Sequence, residues 1–119
     1  MSGYLLDSHA FIWWVAGDER VSHDVRSTAS TAARVVVSDV SLWEYAVKTA
    51  TGKLHLAPDL QRWFEQHMTR TRFGRLRIER DHLAGVAGLT MHHRDPFDRL
   101  LISQAIAEDL TVITADPAF

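Results

Sequence analysis

The stretch HHRDPFDRLLISQA occupies residues 92–105 and predicts a polar turn that leads into an apolar helix. Asp95 and Pro96 indicate where the helix starts. The fixed φ of proline suits the first helical position, and a preceding aspartate can cap free backbone N–H groups. The apolar pattern then predicts a helix that runs to about Asp109.

Asp98 shares a predicted helix face with apolar residues. Leu101, Ile102 and Ala105 follow it by three, four and seven positions, which is the spacing of one side of a helix. If that stripe packs on the core, the carboxylate of Asp98 faces inward as well. A carboxylate in such a place needs partners, and the other acidic residues of the chain are candidates.

The rest of the chain alternates between strand and helix patterns. Strands are predicted at residues 3–7, 34–38, 73–78 and 111–114. Helices are predicted at residues 8–15, 21–33, 41–50, 58–68 and 81–91. This alternation predicts a single α/β domain over residues 1–119, with a parallel sheet covered on both faces.

Composition excludes several classes of protein. The 119 residues contain no cysteine, which excludes disulfides, thiolate zinc sites and cysteine nucleophiles. A net charge of −2 is not that of a strongly basic nucleic-acid-binding domain. No apolar run approaches the roughly 18 residues of a membrane span, and no signal peptide is evident. We therefore expect a cytoplasmic protein without a membrane association.

Four acidic residues fall near one predicted edge of the sheet. Asp7 ends the first strand, and Asp116 follows the fourth. Glu44 and Asp98 lie in the first turns of helices that begin at the same edge. Since ligands of open α/β sheets bind at the carboxyl ends of the strands, the four carboxylates are expected to converge there.

Such a cluster indicates a metal site. Two like charges 4 Å apart repel by about 4 kcal/mol at an effective dielectric of about 20, so only a divalent cation or abnormal protonation makes such a cluster stable. Oxygen ligands without thiolates favour Mg²⁺ or Mn²⁺. These ions can activate a water molecule for attack on a phosphodiester.

Each acid taken alone also has a structural explanation. Ser41 and Glu44 have the spacing of a capping box, and Asp7 can cap the helix that follows it. Asp98 suits the dipole of a helix start, and Asp116 belongs to an aspartate–proline turn. These alternatives explain the residues one by one, but not their common location.

Two further patterns were open to more than one interpretation. His92 and His93 suggest a zinc site or an HD-type phosphohydrolase, but adjacent histidines on one backbone point in different directions. Arg75, Arg77 and Arg99 are candidate contacts for an RNA backbone, although an arginine-rich run is more often a solvated surface.

Several motifs resemble, in chain order, those of the PIN-domain toxins of the VapC type. The match spans nearly the whole chain, and its most specific part is HHRDPFDRLL at residues 92–101. The other motifs are LLDSHA at 5–10, S-x-W-E at 41–44, GKL at 52–54 and TAD at 114–116.

The resemblance implies a three-layer α/β/α sandwich and a Mg²⁺- or Mn²⁺-dependent endoribonuclease. It also implies the toxin of a type II toxin–antitoxin pair, a homodimer that a VapB-like antitoxin neutralises. Similar proteins continue into a last edge strand, which would be missing from the four strands visible here. The residues carried over are the metal-binding and catalytic acids Asp7, Glu44, Asp98 and Asp116, with Thr114, Ser41 and the helix-capping Asp95 in support. The alternative is a catalytically weak PIN-like module that acts through antitoxin pairing and regulation.

Overall fold

The computed structural model describes residues 3–90 and 95–114, and within these ranges four strands alternate with helices. The first half contains β1 (Gly3–Leu6), α1 (Ser8–Val15), α2 (His23–Ser30), β2 (Val35–Ser38) and α3 (Asp39–Ala50). The second half contains α4 (Leu60–Thr71), β3 (Gly74–Leu76), α5 (Arg80–Gly85), a 3₁₀ turn (Val86–Gly88), α6 (Pro96–Glu108) and β4 (Leu110–Ile113).

The four strands form one parallel sheet in the order β3-β2-β1-β4. In the centre of the sheet, Leu6 is level with Val37 on one side and with Ile113 on the other. The carboxyl ends of β1, β2 and β4 therefore reach the same edge. The predicted α/β class and the parallel sheet are confirmed.

Successive residues of the central strands pack on opposite faces of the sheet, as the pleat requires. Leu5 and Val36 belong to a core shared with α6, whereas Leu6 and Val37 belong to a second core shared with α1, α3 and α4. Both faces of the strands are thus apolar, which explains their nearly continuous hydrophobic runs. The two cores make the molecule the predicted three-layer sandwich.

The start of α6 agrees with the prediction from sequence. Asp95 is the N-cap, and its Oδ1 accepts a hydrogen bond from the backbone N–H of Phe97 at 2.8 Å. Pro96 occupies the first turn, and the helix ends at Glu108 with Asp109 as its C-cap.

The start of α3 differs from the prediction. Ser38 is the N-cap, and its Oγ accepts from the backbone N–H of Val40 at 2.9 Å, so the helix begins at Asp39. The start predicted at Ser41 is therefore wrong. The capping-box explanation of Ser41 and Glu44 is also wrong, because both residues lie inside the helix.

Three other elements are clearly shorter than predicted. The helix expected at residues 21–33 is α2, which spans only His23–Ser30. The helix expected at residues 81–91 is α5 followed by the 3₁₀ turn, which ends at Gly88. Glycines at positions 85 and 88 weaken a continuous helix there. The strand expected at residues 73–78 is only Gly74–Leu76, an edge strand that pairs with β2 alone. Across the described ranges, no helix has the length and apolar character needed to cross a bilayer.

Candidate active site at the carboxyl edge of the sheet

Asp7 is buried where β1 passes into α1. Its backbone N–H donates to the carbonyl of Ile113 at 3.0 Å, which holds it against the end of β4. Its Oδ1 accepts from the backbone N–H of Ala10 at 2.7 Å and so caps α1. The capping explanation is thus correct for Asp7, and the cap also holds its carboxylate at the sheet edge.

Glu44 is a buried carboxylate on α3, with only 3% of its surface exposed. Its Oε2 accepts from Nζ of Lys48 at 2.5 Å. Its Oε1 is also buried, and no donor from the described residues reaches it. A buried carboxylate oxygen without a hydrogen bond is costly, so this atom is suited to bind a ligand.

Buried hydrogen bonds connect Ser8, which follows Asp7, to Ser41 and Tyr45 of α3, the helix that carries Glu44. The Ser8 hydroxyl donates to Oγ of Ser41 at 3.0 Å, and the Tyr45 hydroxyl donates to the carbonyl of Ser8 at 2.5 Å. Burial raises the pKa of Tyr45 well above its ordinary value, and the negative charges of Glu44 and Asp7 raise that pKa further. Both carboxylates therefore act on the same buried phenol.

Asp98 lies half-buried in the first turn of α6, within the turn that Asp95 caps. The rings of Trp43 and Phe97 meet edge to face, with their centroids 4.5 Å apart. These aromatic residues immediately precede Glu44 and Asp98. The contact therefore places the first turn of α6 beside the part of α3 that carries Glu44.

The remaining predicted site residues divide into two groups. Thr114 is half-buried and follows Ile113, whose partner in β1 immediately precedes Asp7. Asp116, His92 and His93 lie outside the described residues. Among residues 3–90 and 95–114, no group of three or more acidic or histidine side chains is arranged to hold a metal ion. A complete set of ligands therefore remains a prediction.

The three arginines predicted to contact RNA have different surroundings. Arg75 is exposed and donates from Nε and Nη2 to the carboxylate of Asp39 at 2.9 and 2.8 Å. These hydrogen bonds, and then the charge of Asp39, raise the pKa of Arg75. Arg99 donates weakly to the carbonyl of Val86 at 3.5 Å, and Arg77 is exposed. Because Asp39 balances its charge, Arg75 is a weaker candidate for RNA contact than its position in the sequence suggests.

The interpretation of the sequence missed three residues that support the site. Lys48 follows Glu44 by four positions, which is the usual spacing of a helical ion pair and could have indicated the contact. Ser38 and Gln104 hydrogen-bond to each other in the core, 66 positions apart in the chain. No local pattern could have indicated that bond.

The side chains at this edge fit a divalent cation in two respects. They provide carboxylate oxygens, which are the ligands that Mg²⁺ and Mn²⁺ prefer. One of these oxygens, Oε1 of Glu44, is buried and lacks a donor among the described residues, as expected of an atom reserved for a cation.

Comparison with known proteins agrees with this fold. The PIN domain family matches residues 4–119. The chain belongs to the PIN domain family. It is 28% identical over 117 residues to Ribonuclease VapC22 of Mycobacterium tuberculosis (strain ATCC 25618 / H37Rv), an alignment that covers 98% of this chain and 88% of that protein. The resemblance inferred from the motifs is confirmed.

Three solved structures that share this fold are toxin–antitoxin assemblies. A toxin-antitoxin complex from Klebsiella pneumoniae aligns with a TM-score of 0.62 and 16% identity, over 94% of this chain and 85% of that one. VapBC2 from Rickettsia felis, bound to a DNA fragment from its promoter, aligns with a TM-score of 0.64 and 16% identity, over 93% of this chain and 85% of that one. DNA-bound VapBC from Salmonella typhimurium aligns with a TM-score of 0.64 and 18% identity, over 94% of this chain and 85% of that one. At these identities the likeness establishes the PIN fold.

Proposed function

We propose that this chain is a Mg²⁺- or Mn²⁺-dependent endoribonuclease that acts as the toxin of a type II toxin–antitoxin pair. The observation that carries the proposal is the buried Glu44 carboxylate. One of its oxygens receives no hydrogen bond from the described residues, and Glu44 is buried, as is Asp7 at the carboxyl edge of the PIN-domain sheet. Similarity to a protein named a ribonuclease, over 98% of the chain, supports the same activity.

The acids proposed to hold the cation are Asp7, Glu44, Asp98 and Asp116. When bound, the cation would supply an activated water and neutralise charge on the scissile phosphate. The chain's own contribution is to fix the carboxylates before RNA arrives. The α1 cap holds Asp7, and Lys48 holds Glu44. Burial excludes competing water and strengthens the electrostatic interactions of both.

The proposed partners follow from the structural neighbours. These are complexes of a toxin with its antitoxin, and we infer a VapB-like antitoxin for this chain. We also propose a homodimer that acts in the cytoplasm. The apolar side chains of Leu83 and Ile106 support the dimer, because they are 54% and 68% exposed on α5 and α6, which pack together. Light scattering of Ile106→Glu tests this, and the expected result is a monomer.

The activity is tested by incubating purified protein with a structured RNA in EDTA and then in Mn²⁺. We expect cleavage only with Mn²⁺, and loss of cleavage in Asp7→Asn, Asp98→Asn and Asp116→Asn. The matched control is Asp24→Asn, which removes an exposed carboxylate from α2 and should leave cleavage unchanged. Circular dichroism verifies that each variant is folded. Persistent cleavage in the first two variants would overturn the site, and RNA binding without turnover in saturating Mn²⁺ would favour the binding module.

A further inference from the structure

Lys48 is the charge partner of the buried acid in the site. Its Nζ lies 2.5 Å from Oε2 of Glu44, and the two side chains are 29% and 3% exposed. A carboxylate this deeply buried is stable as an anion only when an opposite charge or hydrogen-bond donors compensate for its lost hydration. Lys48 provides that compensation without any bound ion.

The pair differs from the other ion pairs of the described residues. In those pairs the carboxylates are 27% to 33% exposed, so water screens them and the partner matters little. Glu44 is almost fully buried and has a second buried acid, Asp7, close enough that both raise the pKa of Tyr45. Removing the ammonium would leave the buried Glu44 carboxylate without its counter-charge.

The two oxygens of Glu44 have separate surroundings. Oε2 is occupied by Lys48, whereas Oε1 is buried and receives no hydrogen bond from the part of the chain that is described. An ammonium and a divalent cation at this carboxylate neutralise the same charge and repel each other. Their stabilising effects are therefore expected to be redundant rather than additive.

We infer that Lys48 is a resident counter-cation, a positioning residue that holds Glu44 in place until a divalent ion binds. The inference rests on the proposed function, because it assumes that the acids of this edge bind metal. In the metal-free protein, Lys48 balances Glu44 and keeps the site assembled. Once the ion is bound, the ion pair weakens and contributes much less to stability.

The test compares the thermal unfolding of wild type and Lys48→Met in EDTA and in saturating Mn²⁺. In EDTA the variant should melt several degrees lower, since the buried Glu44 carboxylate loses its counter-charge. Mn²⁺ should raise the melting temperature of the variant more than that of wild type, so the difference between the two melting temperatures should become smaller. Calorimetric titration should show Mn²⁺ binding to the variant several-fold more tightly. The inference would be overturned if the difference in melting temperature were the same in EDTA and in Mn²⁺, or if the variant bound Mn²⁺ more weakly than wild type.

The chain contains only two lysines, which provides a matched control. Lys53→Met removes the same charge from an exposed position just beyond α3. Its melting temperature in EDTA, and the increase that Mn²⁺ produces, should both equal those of wild type. The two lysines also permit a test on the wild-type protein if Lys48→Met does not fold. Amine-reactive labelling read by mass spectrometry should show slow modification of Lys48 in EDTA and several-fold faster modification in Mn²⁺, with Lys53 unchanged. Mn²⁺-independent labelling of Lys48 would contradict the inference.

The outcomes also separate this inference from the proposed function. If Mn²⁺ stabilises neither protein and does not alter labelling, the metal site itself is wrong and the role of Lys48 fails with it. If Mn²⁺ stabilises wild type and Lys48→Met equally, the metal site stands. In that case only the counter-cation role is overturned.

Discussion

The Ser38 hydroxyl donates a 2.6 Å hydrogen bond to Oε1 of Gln104, and neither side chain is exposed. Ser38 caps α3, the helix that carries Glu44. Gln104 lies in α6, which carries Asp98 in its first turn. The same amide donates from Nε2 to the carbonyl of Arg77 at 3.2 Å, just beyond β3. One buried hydrogen bond therefore joins the start of α3 to α6, the two helices that carry Glu44 and Asp98.

Gln104→Leu is expected to lower the free energy of unfolding by about 1–3 kcal/mol, because the buried Ser38 hydroxyl loses its acceptor. Ser38→Ala also removes the α3 cap, which costs about 0.5–2 kcal/mol more. Urea denaturation of both variants and of the double variant measures the coupling. We expect the double variant to be less destabilised than the sum of the single changes, by at least about 0.5 kcal/mol. Strict additivity would show that the two side chains do not depend on each other.

The α1 cap and the proposed metal site make separate demands on Asp7. Asparagine caps a helix about as well as aspartate, so Asp7→Asn should keep the α1 cap and lose less stability than Asp7→Ala. Asp7→Ala should lose about 0.5–2 kcal/mol of stability with the cap. Neither variant should cleave RNA, whereas equal stability losses in the two would contradict the cap.

Gly85 provides a test of the packing between α5 and α6. A Cβ at this position would lie 2.5 Å from Oγ of Ser103, although the next atom, Cβ of Ser103, is 3.8 Å away. Gly85→Ala should therefore force the Ser103 hydroxyl to rotate away and break its 2.6 Å hydrogen bond to the carbonyl of His82, which costs about 0.5–1.5 kcal/mol and opposes the gain in helix propensity. Gly85→Ala combined with Ser103→Ala relieves the contact and should be more stable than Ser103→Ala alone, as measured by thermal unfolding. A double variant less stable than Ser103→Ala would show that the Ser103 hydroxyl is not what limits Gly85.

Glu108 predicts a dependence of stability on pH. A hydrogen bond from His82 lowers the pKa of Glu108, and Arg34 lowers it further, although burial acts in the opposite direction. A lowered pKa stabilises the fold above the ordinary value of about 4.5, and this stabilisation is lost as the pH falls through the lower folded-state value. Glu108→Gln should cost less than about 1 kcal/mol at pH 7, because the carboxylate is partly exposed.

The measurement for Glu108 is urea denaturation between pH 7 and pH 3. The difference in the free energy of unfolding between wild type and Glu108→Gln should become smaller as the pH falls below about 4.5. Glu19→Gln is the control, since Glu19 is an exposed carboxylate in the loop after α1. The free energy of unfolding of Glu19→Gln should show the same pH dependence as that of wild type. A difference that persists at pH 3 would show that charge is not what Glu108 contributes.

Short-range patterns account for much of the fold and for part of the site. The Asp95 cap depends on atoms two to three residues away, so the order of residues predicts it directly. The strands are apolar on both faces because helices cover both faces, and this predicts a parallel sheet. Asp7 was identifiable because it directly follows such a strand. The predicted α3 start failed because Ser38 and Ser41 are both acceptable caps, and only the end of β2 selects Ser38.

By itself, the sequence determined the α/β class, the start of α6, and the position of Asp7 at the carboxyl end of β1. Only the tertiary structure decided that Glu44 is buried, with one oxygen held by Lys48 and the other without a donor among the residues that the structure describes. It also decided that Ser38 reaches Gln104, 66 residues further along the chain. The physical reason is range, because caps and periodicity act within one or two turns. Burial and the choice of hydrogen-bond partner depend instead on how distant elements pack.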